Sequence, residues 1–465
     1  MGASARRLKR RAGAPTGVRM AEPAPSPFDY RDYRAFWAAR LTSTIGNTML
    51  VVVIGIHVYD IARQTMSIAQ ASFWLGMVGL AQFLPLFLLT LVAGYVADRI
   101  DRRWIVRASI ALELACAVAL ALLVWTGTMA LLPLFVVAVA LGIGRAFSGP
   151  ALSAFAPNLV PPALLPSAIA LNSIAWQAGA VAGPLLGGAA YAIDTALPYE
   201  ASAILFAVAL GAMLIIRPIP RGDAGKSHPL RAVIEGLAYV RDNKIVLGAI
   251  TLDLFAVLLG GATAMLPVYA RDILHVGSEG LGALRAAPAV GAAATAFLLA
   301  RRPLQRHVGV KMFACVAIFG LATVVFGESR VMWLSLASLV VLGASDMVSV
   351  YVRSSLIQLH TPDAMRGRVS AVSGLFISAS NELGEFRAGL SGAAFGPVAA
   401  VVGGGALAIV VTGACAWLFP SLRRADRFVA PDAQILAEAS GKDQPAVEVP
   451  AMVAGLDPKS EGKAP

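Results

Sequence analysis

The chain has 465 residues, of which 58% are hydrophobic and only 14% are charged, and its mean hydropathy is +0.73. Soluble domains carry about 25% charged residues, so this composition excludes an ordinary soluble protein and indicates an integral membrane protein. The net charge of +11 does not predict a nucleic-acid partner, because the cations are concentrated in the tails and in alternate loops between apolar stretches.

Twelve apolar stretches are each long enough to cross the hydrocarbon core of a bilayer, which takes about 20 helical residues. The predicted spans are residues 34–60, 67–96, 104–126, 130–152, 167–191, 197–217, 244–270, 279–301, 308–327, 331–358, 368–392 and 396–420. The sequence therefore predicts an all-α integral membrane protein.

A polar stretch at 218–243, the longest inside the chain, divides these spans six and six. We predict an N-terminal six-helix bundle over residues 30–217 and a C-terminal six-helix bundle over residues 244–420. Parallel repeats of six spans are typical of transporters that place one site between two moving halves. Residues 1–29 form a basic tail without a secretory signal, and the polar composition of residues 421–465 predicts a disordered tail.

The distribution of Lys and Arg predicts the orientation of the chain. The tails, the central stretch and alternate loops hold nearly all of these residues, whereas the opposite loops offer little more than Arg63, Arg271 and Arg330. Positively charged loops stay on the cytoplasmic side. Both termini and the central loop are therefore predicted to be cytoplasmic, with the spans in the plasma (inner) membrane.

A dense charged segment, residues 94–103, lies between the second and third spans. It contains the pattern G-x-x-x-D-R-x-x-R-R, whose members are Gly94, Asp98, Arg99, Arg102 and Arg103. This pattern resembles the signature loop between helices 2 and 3 of the major facilitator superfamily of transporters. The resemblance implies twelve transmembrane helices in two pseudo-symmetric six-helix bundles around a central cavity, and it implies that these five residues take part in gating.

The fourth span ends with Arg145 and, four residues later, Gly149, which matches the superfamily's R-x-x-x-G motif. The match implies that Arg145 lies beside Asp98 and acts in gating. In such transporters the loop aspartate also faces the start of the eleventh span, here near residues 363–368. A helix N-terminus carries about half a positive charge, so this contact would hold the cytoplasmic side shut. A structural ion pair is compatible with that role, since a latch is formed in one state and broken in the other.

The fifth span contains glycines at a spacing of four around one proline: Gly179, Gly183, Pro184, Gly187 and Gly188. Such glycines let another helix approach closely, and the proline bends its helix. An ordinary close-packed interface would explain both. The full pattern G-x-x-x-G-P-x-x-G-G resembles the motif of the drug and proton antiporter branches of the superfamily, and that resemblance implies export rather than uptake.

Ionisable and strongly polar side chains inside the spans are functional candidates by default, because such groups are costly in a bilayer. The candidates for proton coupling or substrate contact are Arg40, Asn47, Glu113, Asp253, Asp346, Arg353, Glu382 and Glu385. A proton carrier has to bind its proton while buried and release it when water enters. By sequence, Asp253 lies deepest among apolar neighbours, and Asp346 comes next.

Three glutamates leave alternatives open. Glu382 and Glu385 lie one helical turn apart and either share a proton or are held by Arg387. Glu113 either faces solvent near the middle of the third span or is a paired residue. Several of the intramembrane charges are expected simply to pair with one another.

The C-terminal half carries a closer resemblance. The run from Thr361-Pro362-Asp363 to Arg366-Gly367-Arg368-Val369 and the run Asn381-Glu382-Leu383-Gly384-Glu385-Phe386 are similar to the enterobactin-exporter-like branch of the superfamily, over about residues 28–427. There are two departures. Asn47 stands where many relatives carry Asp, which puts proton coupling through the first span in doubt, and Arg387 stands where an acid is common.

These patterns together predict a secondary transporter that exports a small amphipathic molecule, a siderophore-like metabolite or a drug, by proton antiport with alternating access. A proton-linked importer or lysophospholipid flippase on the same fold is one alternative, and a non-transporting membrane receptor or scaffold is another. The expected partners are the small-molecule substrate, protons and membrane lipids, and the protein is expected to be monomeric. No P-loop, G-x-S-x-G or H-E-x-x-H pattern occurs, so we expect neither enzyme activity nor a cofactor or metal.

Overall fold

Helices make up nearly all of the described chain. A bilayer core contains no water, so each backbone N–H and C=O there must bond within the protein. The computed structural model describes residues 26–153, 155, 159–161, 164–217 and 229–428. Within those residues no strand is formed. The all-α prediction is confirmed.

The N-terminal half contains six long helices. They are α1 (Arg31–Thr65), α2 (Ile68–Arg99), α3 (Arg102–Trp125), α4 (Leu131–Ser153), α5 (Leu165–Ile193) and α6 (Leu197–Ile215). The C-terminal half begins with an amphipathic helix and continues through the remaining spans. Its helices are α7 (Pro229–Asp242), α8 (Lys244–Gly260), α9 (Leu266–Val268), α10 (Gly277–Arg301), α11 (Val308–Glu328), α12 (Met332–Leu359), α13 (Asp363–Phe395), α14 (Pro397–Leu418) and α15 (Pro420–Arg423).

Eleven helical segments of the described chain are long and apolar enough to cross a membrane. The predicted span that is not among them, residues 368–392, lies in α13, which is 33 residues long. Length is therefore not what separates α13 from the others, since about 20 residues suffice. Its middle carries Glu382, Glu385 and Arg387, and these charges make it less apolar than the eleven segments.

The charged segment at 94–103 is not a ten-residue loop. Helix α2 continues to Arg99, and the N–H of Ile100 still donates to the carbonyl of Val96 at 2.8 Å. Asp101 then caps α3 by accepting from the N–H of Arg103 at 3.0 Å. Only Ile100 and Asp101 lie between the two helices. Ile100 ends α2, and Asp101 caps the start of α3.

Two other predicted segments also differ in detail. Fourteen residues near the end of the predicted central loop form α7, which packs on α13 through a 2.7 Å ion pair between Glu235 and Arg368. The seventh span is not one uninterrupted helix. Helix α8 ends at Gly260, where a Cβ atom would lie 2.6 Å from the ring of Phe319, and a π-turn at Tyr269–Ile273 ends the segment.

The two halves are joined at one end of the molecule, where α1 ends and α2 begins; we call it the Met66 end. Three of the four buried apolar clusters lie entirely within one half. The fourth joins side chains such as Ile56 and Leu75 to side chains such as Leu266 and Leu281 of the other half. The described apolar core between the halves is therefore concentrated at the Met66 end.

Candidate functional site

Glycines form the contact between α2 and α13, one crossing between the two halves. A Cβ atom at Gly389 would lie 2.4 Å from the Cα of Gly76, and a Cβ at Gly76 would lie 2.9 Å from the carbonyl oxygen of Phe386. The two backbones touch here and leave no room for side chains.

A second glycine contact joins the halves between α5 and α10. A Cβ atom at Gly188 would lie 2.4 Å from the carbonyl oxygen of Ser278, and a Cβ at Gly282 would lie 2.7 Å from that of Pro184. We call these two crossings, Gly76–Gly389 and Gly188–Gly282, the glycine seam. Both lie toward the Met66 end of their helices.

The other glycines of the fifth-span motif pack within the N-terminal half, against α1. A Cβ atom at Gly179 would lie 2.6 Å from Cγ2 of Thr44, and one at Gly187 would lie 3.0 Å from Cγ of Met49. The hydroxyl of Thr48 donates to the carbonyl of Gly179 at 2.9 Å. The motif thus serves two interfaces, one inside its own half and one across the seam.

We expect Gly183→Ala to destabilise the protein by about 1–3 kcal/mol, the usual cost of an overpacked interface. The added Cβ atom would lie 1.9 Å from Oγ1 of Thr48. Gly211→Ala in α6 is the matched control, because nothing lies within 4 Å of its Cβ position and alanine favours a helix over glycine. Thermal unfolding in detergent measures both; equal melting temperatures for the two variants would contradict the packing assigned to Gly183.

A group of charged and hydroxyl side chains closes the Met66 end, and we call it the rim cluster. Its members are Tyr59, Asp60, Arg63, Tyr191, Arg271 and Asp272. Arg63 pairs with Asp272 at 3.2 Å, and Arg271 pairs with Asp60. Each half therefore supplies one acid and one base to the other.

Two tyrosines complete the rim cluster. The hydroxyl of Tyr59 donates to Asp272, and that of Tyr191 donates to Asp60 at 3.0 Å. In the sequence, Arg63 and Arg271 stand out only as rare cations on the less positive side, and the cluster was not predicted. The detectable signal was an acid beside each of these cations, at the ends of the first and seventh spans.

Two further ion pairs lie deeper between the helices, both on glutamates of α13. Glu382 accepts from Arg145 of α4 at 2.8 Å, which is a contact between the two halves. Glu385 accepts from Arg285 of α10 at 3.5 Å. The alternative that Arg387 holds the two glutamates is wrong, because its Nε donates instead to the carbonyl of Leu258 at 2.9 Å.

The described contacts of Arg145 differ from the predicted contact with Asp98. Its guanidinium also reaches Oε1 of Gln82 at 3.4 Å, and both described partners lie away from the segment at 94–103. The side chains of Gly94, Asp98 and Arg99 fall outside the described set, so the predicted Asp98 contact stays a prediction.

Arg103 contacts its own half. It pairs with Asp101 at 2.6 Å and donates to the carbonyl of Ile216 at 3.3 Å. These contacts tie the start of α3 to the end of α6. The described geometry of Arg103 therefore supports a positioning role within the N-terminal bundle.

The N-terminal half holds a buried polar pair between α1 and α3. The side-chain amide of Asn47 donates to Glu113 at 3.3 Å, and Glu113 is 4% exposed. Of the two alternatives for Glu113, the structure shows the paired one. Arg40 lies seven residues before Asn47, on the same face of α1.

The C-terminal half contains an ion pair between Asp253 of α8 and Arg353 of α12, with side chains only 6% and 4% exposed. Asp253, the first candidate for a proton carrier, is thus neutralised inside one half. Asp346 lines a small pocket beside this pair. Neither Asp253 nor Asp346 makes a described contact with the other half.

Comparisons with known proteins identify the family of the chain. A family profile described as transmembrane secretion effector matches residues 23–441. The enterobactin exporter EntS of Citrobacter koseri is 25% identical over 380 residues, which are 81% of this chain and 89% of that relative. The enterobactin exporter EntS of Shigella boydii is 24% identical over 374 residues, or 80% and 88% of the two chains.

Solved structures share the fold. A bacterial homologue of the human lysosomal transporter Spinster, in an inward-facing and unoccupied conformation, superposes with a TM-score of 0.63 at 18% identity and covers 85% of this chain and 98% of its own. A D-xylose–proton symporter gives a TM-score of 0.65 at 15% identity, with coverage of 84% and 98%. At these identities the likeness shows the fold alone.

The predicted superfamily fold and the likeness to the enterobactin-exporter branch are confirmed. The family and its relatives are transporters and not enzymes, and they support export of a small molecule. Because the profile spans most of the sequence, the chain belongs to the transmembrane secretion effector family, within the major facilitator superfamily of transporters.

Proposed function

We propose that this protein exports a small amphipathic molecule, a siderophore-like metabolite or a drug, in exchange for protons. The likeness to enterobactin exporters supports the substrate class and the direction. The positive charge near the Ile100 link supports a cytoplasmic position for that end, and in that orientation the Met66 end faces outward. The described conformation, closed by the rim cluster and the glycine seam, then corresponds to an inward-facing state of an alternating-access cycle.

The observation that carries the proposal is the ion pair between Arg145 and Glu382, because it joins the two halves near the middle of the bundles. When the halves move apart, each charge loses its partner, and an unpaired charge in a low-dielectric interior is costly. A proton on Glu382 removes one of those charges. Glu382 is therefore our first candidate for the coupling residue, ahead of Asp253.

Asp98, together with its loop neighbours, remains our proposed latch for the cytoplasmic side. In this proposal the latch forms when the rim cluster opens, so that one end of the transporter is always closed. As the halves rock, Arg145 would leave Glu382 and pair with Asp98. The monomer contains all of these groups.

Dye-reported proton release from acid-interior everted vesicles tests the proposal, with siderophores and cationic drugs as the added compounds. We expect Glu382→Gln to lower substrate-driven proton release about tenfold while substrate–substrate exchange continues, because the variant is permanently uncharged. Glu279→Gln is the matched control, since Glu279 is exposed on α10 and should behave like the wild type.

The same assay separates the alternatives. Proton movement in the same direction as the substrate would indicate an importer. Substrate movement without any proton movement, or with headgroup-labelled lysophospholipid only, would indicate a flippase. Proton release by Glu382→Gln equal to that of the wild type would exclude Glu382 as the carrier.

A further inference from the structure

A small polar pocket lies inside the C-terminal half, between α8, α11 and α12. Its polar lining consists of Asp253, Ser345, Asp346 and Ser349, and its apolar wall includes Val316 and Phe319. The pocket has room for about one water-sized species. It is separate from the glutamates of α13 that face the other half.

The hydroxyl of Ser349 is the first indication of a ligand. Ser349 is only 2% exposed, and its Oγ is buried without a hydrogen-bond partner. Other buried hydroxyls in this half bond to the carbonyl four residues before them, as Ser338 of the same helix does at 2.8 Å and Thr412 of α14 does at 2.7 Å. Ser349 forgoes that bond, which costs free energy unless another group replaces it.

The charge of the pocket is the second indication. Asp253 is neutralised by Arg353, whereas Asp346 makes no hydrogen bond or ion pair within the described part of the chain. With all three groups ionised the pocket has a net charge of −1. Asp346 is partly buried, an unpaired carboxylate among apolar side chains is unfavourable, and one monovalent cation would balance it.

We infer that this pocket binds a sodium ion, held by Asp346, Asp253, Ser345 and Ser349. All four ligands offer oxygen, the donor that hard cations prefer. A divalent ion would leave an excess positive charge in the membrane interior. The carboxylates provide a strong field that favours a small cation over potassium. The inference does not rest on the proposed export activity.

Sodium binding to the purified full chain tests the inference without any transport step. We expect equilibrium dialysis with radioactive sodium to show one saturable ion per chain. Replacing choline chloride by sodium chloride at constant ionic strength should raise the melting temperature by about 2–5 °C, since a ligand that binds only the native state stabilises it. Potassium chloride should have a much smaller effect.

Two variants assign the binding to this pocket. Asp346→Asn should abolish sodium binding, and Ser349→Ala should weaken it about tenfold. Ser338→Ala is the matched control on the same helix, because it removes a buried hydroxyl that is already bonded, and it should bind sodium like the wild type.

Two results would overturn the inference. One is the absence of saturable sodium binding to the wild type; if Asp346→Asn then stabilises the protein by itself, the pocket holds a proton instead. The other is sodium binding that Asp346→Asn and Ser349→Ala leave unchanged.

Discussion

Arg353→Met is expected to destabilise the protein by about 3–5 kcal/mol, the typical cost of removing one partner of a buried ion pair. The Asp253 side chain would remain, only 6% exposed, without its counter-charge. Asp346 lines the same pocket, so two carboxylates would face each other there. Like charges in a low-dielectric site repel strongly, and this repulsion adds to the lost attraction.

Thermal unfolding and the yield of monodisperse protein in detergent measure this effect. Arg330→Met is the control, because Arg330 is exposed and its loss should change the melting temperature little. The double variant Asp253→Leu with Arg353→Met should recover part of the loss, since it removes both charges together. A single Arg353→Met variant as stable as the wild type would show that the pair does not support the bundle.

Arg63→Asp and Asp272→Arg, each alone, should open the Met66 end, and the two combined should close it again. The pair is partly exposed, at 25% and 16%, so its attraction is worth only about 1 kcal/mol. Reversing one charge replaces that attraction by repulsion. A total change of about 1.4 kcal/mol or more shifts the ratio of open to closed states at least tenfold.

Labelling of a single cysteine by a membrane-impermeant maleimide measures this opening. Ala62→Cys is the reporter, because Ala62 is fully buried in the apolar cluster between the halves. The background lacks the three native cysteines, Cys116, Cys315 and Cys415. We expect the labelling rate to rise about tenfold in each single variant and to return to the original value in the charge-swapped double variant.

Arg330→Asp controls for the loss of an exposed cation near that end. It should leave the labelling rate unchanged. A double variant that labels as fast as the single variants would mean that Arg63 and Asp272 act independently, and it would remove the rim cluster from the gating scheme.

The helices could be predicted from the sequence because the hydrophobic length of each span is a local property. The partners of the charged residues could not. Arg145 and Glu382 are 237 positions apart, and Tyr59 and Asp272 are 213 apart. Which acid meets which base depends on how the bundles pack, and no local pattern records that. Asp253 illustrates the point, since its burial was predicted correctly and its partner Arg353 was not identified as such.

The departures from the predicted boundaries have local physical causes. The segment at 94–103 was predicted as a loop because its charges interrupt the apolar run, yet charged residues are compatible with the last turn of α2. The break after Gly260 lies where that residue packs closely against Phe319, a contact that only the folded structure shows. The motif on α5 was correctly expected to allow close helix approach, and its double use, against α1 and against α10, is a tertiary feature.

The glycine seam has a consequence for the speed of the transport cycle. At its two crossings backbone packs directly on backbone. No side chain there has to withdraw from a pocket in the facing helix or change rotamer when the halves separate. The resistance to opening then resides in the apolar cluster that joins the halves and in the polar groups at the rim, and only the polar groups gain solvation by water as they separate. Salt screens such charges over about 8–10 Å, so the opening step of this transporter should be faster at high ionic strength than at low ionic strength.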